Sequence, residues 1–300
     1  MPMIGTGTEL LVHREFGYDR DEDFLEAGAL FLGTRVDAGE TLVVISAADR
    51  FAALAERVPW PLQCLDAREW FDTPARTLSA LVGLGREKWW PAGGVRVLAE
   101  PVWDGRSPAE IREWKRYEAL INVVFAGTPT RMLCAYDRRT VSSGVLDAAR
   151  RTHQGEHYTD PVRFSAECDR APLAAPADPI ASRGFRRGDL AALRDFTGRE
   201  AAGLGLTRTF PLVLAVNEVA TNIIKHGSGV GSLWVWSDGE QVVCDLIDHE
   251  FLLDDPFLGF VPPDPSRTGD AGMWAVRKLC DFVEIRTGST GTLFRLRVRL

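Results

Sequence analysis

Glu218 and Asn222 lie four residues apart in the segment 214–227, which contains no proline and no glycine before its last residue. In a helix that spacing places a carboxylate and a carboxamide on one face, one turn apart. A carboxylate can orient a nucleophile or accept its proton, and a carboxamide oxygen can bind a magnesium ion that carries nucleotide phosphates. An amphipathic helix with two solvated polar side chains is the alternative that this spacing alone leaves open.

The elements around this pair are predicted to form one compact unit. The opposite face of the helix is apolar and consists of Leu212, Val216, Val219 and Ile223. The other predicted elements are helices at 188–203 and 272–281 and strands at 232–237, 242–248, 282–287 and 292–300. Because an apolar helix face packs on a sheet, this order predicts a mixed sheet with helices on one face, a two-layer α/β sandwich over residues 185–300.

Four motifs follow one another in this unit: Asn217–Gly227, Asp248 at the end of a strand, Gly272 at the start of a helix, and Gly291–Thr292. Together they resemble the ATPase superfamily of gyrase, histidine kinases and mismatch-repair proteins. Within that superfamily they are most similar to the anti-sigma serine-kinase branch, whose N-box also follows an apolar helix.

The resemblance implies ATP and Mg²⁺ as cofactors and gives each motif a role. Glu218 is expected to be the base or water-positioning residue and Asn222 the magnesium ligand. Asp248 is expected to receive the adenine amino group, with Thr292 beside the adenine. Gly272 starts a helix whose N-terminal amides are expected to face phosphate, since helix N-termini attract anions.

Two positions near the expected nucleotide depart from the family pattern. Glu250 follows Asp248-His249 where the family has glycine, and Asp270 stands for the first glycine of Gly-x-Gly. A carboxylate beside a triphosphate is repulsive unless it turns away or holds the metal. Gly269, one residue earlier, is expected to compensate in part, and it is counted with His226 among the nucleotide-binding residues.

The first half of the chain alternates strands and helices. Strands are predicted at 41–46, 62–65, 95–99 and 131–136, and helices at 21–36, 48–57, 74–88 and 108–125. Ser107, Pro108 and Glu110 form a clear helix start. This alternation predicts a three-layer parallel sheet over residues 8–155. Residues 156–184 lack periodicity and are rich in proline and alanine, which predicts a linker.

The segments 13–19, 39–40, 100–103 and 114–118 together resemble the MEDS sensory domain, a relative of the RecA-like fold found beside anti-sigma kinase domains. No G-x-x-x-x-G-K-[ST] motif is present, so no phosphate-binding loop is predicted here. The resemblance implies a small organic ligand contacted by His13, with Tyr117 and Glu118 lining its pocket. A locally hydrogen-bonded histidine and a core-packed tyrosine are the alternatives.

Composition excludes several classes. The net charge of −7 and the pI near 5.4 argue against binding to nucleic acid or to an anionic membrane. The sequence has no apolar run long enough to span a bilayer, and its first residues lack a signal-peptide pattern. Five widely spaced cysteines, mostly in apolar runs, predict buried thiols in a reducing compartment and neither disulfides nor a metal cluster.

We therefore expect a cytoplasmic signalling regulator in which a ligand-sensing domain controls an ATP-dependent serine kinase of the anti-sigma type. Its partners would be a sigma factor, an antagonist protein, or both, and the chain could form a homodimer. A non-catalytic scaffold with the same fold is the alternative. A two-component histidine kinase is less consistent with the sequence, because neither His153 nor His157 lies in a long helical pattern.

Overall fold

The computed structural model describes residues 11–34, 39–263 and 271–300, and the chain forms two compact units, 1–168 and 169–300. No helix in the described ranges is long and apolar enough to cross a membrane.

The first unit is built on a five-stranded sheet within the described residues. Its strands are β1 (Leu11–Tyr18), β2 (Thr41–Ser46), β3 (Gln63–Asp66), β4 (Val95–Ala99) and β5 (Thr130–Asp137). They are arranged in the order β1-β5-β4-β2-β3, and each described pair is parallel. The parallel sheet predicted from the alternating pattern is confirmed.

Helices cover both faces of this sheet. They are α1 (Asp21–Gly33), α2 (Ala48–Ala55), α3 (Ala67–Trp70), α4 (Pro74–Leu84), α5 (Trp90–Ala92), α6 (Pro108–Val124), α7 (Ser143–Thr152) and α8 (Pro161–Asp169). In β2, Leu42 and Val44 belong to the core under α1 and α2, while Ile45 lines a cavity with side chains of α4 and α6. A strand buried on both faces has no polar alternation, which is why its interior, 42–45, is uniformly apolar.

The start of α6 and the end of α4 can be compared with what the sequence predicted. The backbone N–H of Glu110 donates to Ser107 Oγ at 3.3 Å, and the Ser107 N–H donates to Glu110 Oε2 at 2.7 Å, so the predicted capping box is present. The helix expected over 74–88 instead ends as an α-helix at Leu84 and continues as a π-helical turn over Gly85–Trp89. Gly85 lies against the Trp90 ring, where a Cβ would come within 2.5 Å.

The second unit is built on a sheet of five described strands: β6 (Ala181–Arg186), β7 (Val230–Ser237), β8 (Gln241–Asp248), β9 (Phe282–Gly288) and β10 (Gly291–Arg299). Its helices are α9 (Leu190–Gly203), α10 (Phe210–His226) and α11 (Ala271–Leu279). The strand order is β6-β7-β8-β10-β9, and the helices share one apolar core with the sheet. The two-layer α/β sandwich is confirmed.

The expectation of a mixed sheet was wrong, because each described strand pair in this unit is antiparallel. Two of the four neighbouring strand pairs, β7–β8 and β9–β10, are hairpins. Helices α9 and α10 connect β6 to β7, which pairs with it in the antiparallel direction.

The range expected to be a linker, 156–184, contains regular structure. Helix α8 packs through Phe164 on Ala119 and Ala148, and the end of the range starts β6. Both elements give a weak periodic signal in the sequence. Helix α8 is short and packs through one buried aromatic residue, and β6 is an edge strand that contains Gly184.

Gly291 is predicted to be indispensable to the second sheet. Its φ is +103°, and an added Cβ would lie 2.0 Å from the carbonyl oxygen of Asp248, whereas its cross-strand partner Gly288 has open space around it. We expect Gly291→Ala to cost more than about 2 kcal/mol of unfolding free energy, and Gly288→Ala less than about 1 kcal/mol. Urea unfolding, with amide hydrogen exchange of the hairpin to assign the transition, measures both. Equal losses would contradict this account.

Candidate functional site

Helix α10 presents Glu218 and Asn222 on its more polar side. Its apolar side is buried as predicted, with Leu212, Val216 and Val219 fully covered by the sheet and neighbouring helices. Glu218 and Asn222 themselves are only partly buried. The helix therefore holds the pair at a surface that solutes can reach.

Gly272, in the first turn of α11, faces the same two side chains. A Cβ at this position would lie 3.3 Å from Glu218 Oε2 and 3.9 Å from Asn222 Nδ2. The structure thus brings together three residues that are separated by up to 54 positions in the sequence. Because position 272 is glycine, no side chain fills the space between the first turn of α11 and the side chains of Glu218 and Asn222.

Asp248 ends β8 and is fully buried. Its Oδ2 accepts a hydrogen bond from the backbone N–H of Ser228 at 2.9 Å, and its Oδ1 accepts from those of Glu250 and Phe251, both at 3.1 Å. Burial works to raise the pKa of the Asp248 carboxyl, but these hydrogen bonds outweigh it and the pKa is lowered. The side chain is therefore an ionised anchor for the backbone on either side of it.

Thr292 lies directly opposite Asp248 in the β8–β10 pairing and is also fully buried. Its hydroxyl donates to the carbonyl oxygen of Phe251 at 2.7 Å and accepts from the N–H of Leu253 at 3.2 Å. The two residues expected near adenine are therefore adjacent, and both hold the loop that follows β8.

The remaining predicted nucleotide residues have mixed positions. His226 is exposed in the last turn of α10. The Glu250 side chain is exposed, and its backbone N–H caps Asp248. Gly269 and Asp270 lie outside the described residues.

Arg277 of α11 was not singled out from the sequence, although it ties the described part of the loop after β8 to the helix. Its guanidinium lies 3.6 Å from the centre of the Phe260 ring and donates to the carbonyl oxygens of Leu258 at 2.7 Å and Val283 at 3.0 Å. The sequence signal for Arg277 was its place next to the apolar Val276 on the buried side of the predicted helix.

In the first unit, His13, Tyr117 and Glu118 line one small cavity of about 10 Å³, together with Cys134. The three residues predicted from the sequence are therefore close together. A space of that size holds about one water molecule or one ion, so an organic ligand does not fit in it.

His153, at the end of α7, completes a buried polar cluster beside this cavity. Glu118 Oε2 lies 3.6 Å from His13 Nε2 and 3.5 Å from His153 Nε2, and Cys134 Sγ lies 3.6 Å from His13 Nε2. Burial lowers the pKa of His13 to about 4 and that of His153 to about 3, and it raises the pKa of Glu118 to about 7. Both imidazoles are therefore neutral at physiological pH.

A larger cleft of about 640 Å³ lies at the carboxyl ends of the parallel strands. Its lining includes Arg50, Asp66, Glu100, Trp103 and Asp137. The Arg50 guanidinium pairs with Glu100 and with Tyr18, so the floor of the cleft carries a fixed charged network. In open parallel sheets this edge is where ligands usually bind.

The chain matches two family models. Residues 12–154 match the MEDS domain, described as the MEthanogen/methylotroph, DcmR Sensory domain, and residues 185–298 match the histidine kinase-like ATPase domain. The first unit thus carries the match to the MEDS domain and the second the match to the histidine kinase-like ATPase domain, and each unit is called by the name of its match below.

Among solved structures, one that is similar contains the RsbU and RsbW domains of a protein from Mycobacterium tuberculosis. The identity is 18%, the TM-score is 0.31, and the match covers 41% of this chain and 32% of that chain. It thus spans about a third of that protein's length. The comparison with curated proteins found no match.

The cysteines of both domains are free, but they are not uniformly buried. Cys134, Cys244 and Cys280 are buried as expected, while Cys64 of the MEDS domain is exposed and Cys168 is half-buried. Cys134 lies in a group of potential metal ligands that the sequence spacing did not reveal. Its sulfur and potential ligand atoms of His13, Glu118 and His153 all lie within 4.8 Å of one another.

In the ATPase domain, we expect Asp248→Asn to destabilise the fold in a pH-dependent way. The asparagine replaces one acceptor oxygen by an N–H₂ group, which leaves a buried backbone N–H unpaired at a cost of about 1–3 kcal/mol near pH 7. Because the folded pKa of Asp248 is lowered, its stabilising effect is complete above pH 4 or so and is lost as the pH falls further. The difference between wild type and variant should therefore shrink toward pH 3.

Urea unfolding at pH 7 and pH 3 measures this difference. Asp189→Asn is the matched control, because Asp189 accepts a backbone N–H of Arg186 at 3.0 Å in an exposed turn. A gap between wild type and the Asp248 variant that is the same at both pH values would show that ionised Asp248 is not what stabilises the turn.

Proposed function

We propose that this chain is a regulatory protein of the anti-sigma type whose ATPase domain binds Mg-ATP and phosphorylates a serine of a partner protein. The observation that carries the proposal is the position of Gly272 against Glu218 and Asn222. A carboxylate, a carboxamide and an open helix start at one surface are the groups that phosphoryl transfer needs for positioning and charge stabilisation.

The side chains present fit the expected cofactor. Asn222 offers a carboxamide oxygen for Mg²⁺, and the first-turn amides of α11, which Gly272 leaves uncovered, offer donors to phosphate. Bound Mg²⁺ would neutralise phosphate charge. In this proposal Glu218 orients the hydroxyl of the accepting serine and takes its proton.

The adenine end of the site depends on Asp248 and Thr292. Three backbone N–H groups occupy the Asp248 carboxylate, which has about four acceptor positions. An adenine amino group would share the remaining position with the Ser228 side chain, whose hydrogen bond also lowers the pKa of Asp248. The same occupancy, with the full burial of Asp248, favours the second candidate function, a non-catalytic scaffold that keeps the fold for partner binding. The carboxylate of Glu250 in place of a glycine supports that second candidate as well.

We propose that ligand binding to the MEDS domain controls the ATPase domain. The cleft at the strand ends, about 640 Å³, has the size of a site for a small organic ligand, which the cavity beside His13 does not. The expected partners of the whole chain are a sigma factor and an antagonist that carries the accepting serine. The similarity of the N-box, Asn217–Gly227, to anti-sigma kinases supports this choice.

Asn222→Ala is expected to weaken Mg-ATP binding by at least about tenfold, roughly 1.4 kcal/mol, and to remove its dependence on magnesium. Asn217→Ala is the matched control on the same helix, because Asn217 Oδ1 accepts from Arg194 at 2.8 Å on α9. That variant should change the affinity by less than about threefold. Calorimetric titration with ATP, with and without Mg²⁺, measures both. A folded wild type that binds no ATP favours the scaffold.

Glu218→Gln should leave Mg-ATP affinity within a few-fold of wild type and abolish phosphate transfer, because the amide cannot accept the serine proton. The readout is transfer of labelled phosphate from ATP to a partner that co-purifies with the chain. Unchanged transfer by this variant would remove Glu218 from its proposed role.

A further inference from the structure

We propose that His13, Glu118, Cys134 and His153 form a buried Zn²⁺ site in the MEDS domain. The four residues come from four elements: β1, α6, β5 and the end of α7. One potential ligand atom of each lies within 4.8 Å of all the others, and all four side chains are buried. This inference concerns the first unit alone and stands whether or not the ATPase domain transfers phosphate.

The fold brings the donors together by register. His13 pairs with Met132 across β1 and β5, so Cys134, two residues further along β5, points to the same face of the sheet. Glu118 of α6 faces that side as well, since it lines the same cavity. His153 is held at the end of α7 by its own ring, which contacts the carbonyl oxygen of Ala149.

Three of the six distances among the four potential ligand atoms match those around a four-coordinate ion, and the other three are within 4.8 Å. Zinc ligands at their usual distances of about 2.0–2.3 Å form a tetrahedron whose edges are about 3.3–3.8 Å. The Glu118–His13 and Glu118–His153 distances are 3.6 and 3.5 Å, and the Cys134–His13 distance is 3.6 Å. The cavity beside the cluster, about 10 Å³, has room for one ion and not for a larger ligand.

The hydrogen bonds made by Nδ1 of His13 and of His153 leave the lone pair of each Nε2 atom facing Glu118. The Asn122 amide donates through Nδ2 to the carbonyl oxygen of Thr152 at 2.6 Å, which leaves its Oδ1 to accept from His13 Nδ1 at 3.3 Å. His153 Nδ1 donates to the Ala149 carbonyl oxygen at 2.8 Å. Both Nε2 atoms therefore present lone pairs to Glu118. Carbonyl and carboxamide partners on the far nitrogen are the usual outer contacts of zinc-bound histidines.

A cation resolves an otherwise unfavourable arrangement. Glu118 Oε2 and His153 Nε2 are buried and have no hydrogen-bond partner among the described residues. Acceptor atoms that face each other in a buried site repel unless a proton or a metal ion lies between them. With Zn²⁺, the Glu118 carboxylate and the Cys134 thiolate balance the two positive charges, so the buried site is neutral. Any protons on the two groups pass to solvent on binding.

The donor set indicates which metal fits. One thiolate, two imidazoles and one carboxylate are a mixed sulfur, nitrogen and oxygen set that suits Zn²⁺ in tetrahedral geometry, whereas Ca²⁺ and Mg²⁺ prefer oxygen ligands alone. Four protein ligands in a closed cavity leave no open coordination position. The site is therefore expected to stabilise the domain, with no bound substrate at the metal.

The test uses the full chain without an affinity tag, stripped with a chelator and then loaded with Zn²⁺ or Co²⁺. We expect one tightly held metal per chain by elemental analysis. Co²⁺ should give the intense ligand-field bands of tetrahedral coordination and a thiolate-to-metal charge-transfer band. Zn²⁺ should also raise the melting temperature of the stripped protein, since a ligand that binds only the folded state stabilises it.

Variants connect these signals to the cluster. Cys134→Ser should remove the charge-transfer band, and His153→Ala should weaken Zn²⁺ binding by at least about a hundredfold. Asn122→Ala, which removes the outer contact of His13 together with the hydrogen bond to the Thr152 carbonyl oxygen, should weaken it by about 10–100-fold. The matched controls are Cys64→Ser and His157→Ala, an exposed cysteine and an exposed histidine of the same unit, and both should bind like wild type.

Two outcomes would overturn the proposal. One is a folded wild type that takes up no Zn²⁺ or Co²⁺ after loading, which would mean that protons fill the cluster. The other is an unchanged charge-transfer band in the Cys134 variant, or its loss in the Cys64 variant, which would place the metal elsewhere. Neither outcome depends on nucleotide, so failure here is separable from failure of the kinase proposal.

Discussion

The Asp248 carboxylate is the interaction on which the organisation of the ATPase domain depends. Its three backbone hydrogen bonds join the segment after α10, the end of β8 and the first residues of the following loop. Thr292 then fixes the same loop from β10. Removing water from a charged group is costly, so a buried carboxylate persists only where such donors replace the solvent. The positions of α10 and the loop follow from that requirement.

The MEDS domain solves the same problem differently. Glu118 is buried like Asp248, yet no backbone N–H group donates to its Oε2 among the described residues. Two imidazole nitrogens lie 3.6 and 3.5 Å from this oxygen, and the Cys134 sulfur belongs to the same group of atoms within 4.8 Å of one another. Backbone N–H donors satisfy the hydrogen bonds of a buried carboxylate such as Asp248. A buried carboxylate surrounded by other metal ligands needs a cation to balance its charge.

Local patterns were enough to predict much of the fold. The range 95–99 was predicted correctly as β4 because each of its residues is buried in the centre of a parallel sheet. The start of α6 was predicted from a capping box, which involves only residues close together in sequence. Antiparallel pairing of β8 with β10 was not predictable, because it depends on how a long loop returns. The Glu218–Asn222 pair was found from helical spacing. Cys134 and His153 were missed as a cluster, because only the tertiary fold brings them to Glu118.

The exposure of Cys64 gives the MEDS domain a natural attachment point for a spectroscopic probe. Cys64 is the exposed thiol, and Asp66, two residues further along β3, lines the cleft at the strand ends. Partial burial and the Asp66 carboxylate raise the pKa of the thiol, so coupling proceeds best in mildly alkaline buffer. A fluorophore attached there would lie beside the cleft and far in sequence from His13 and Cys134, and its emission would report cleft occupancy in the otherwise unaltered chain.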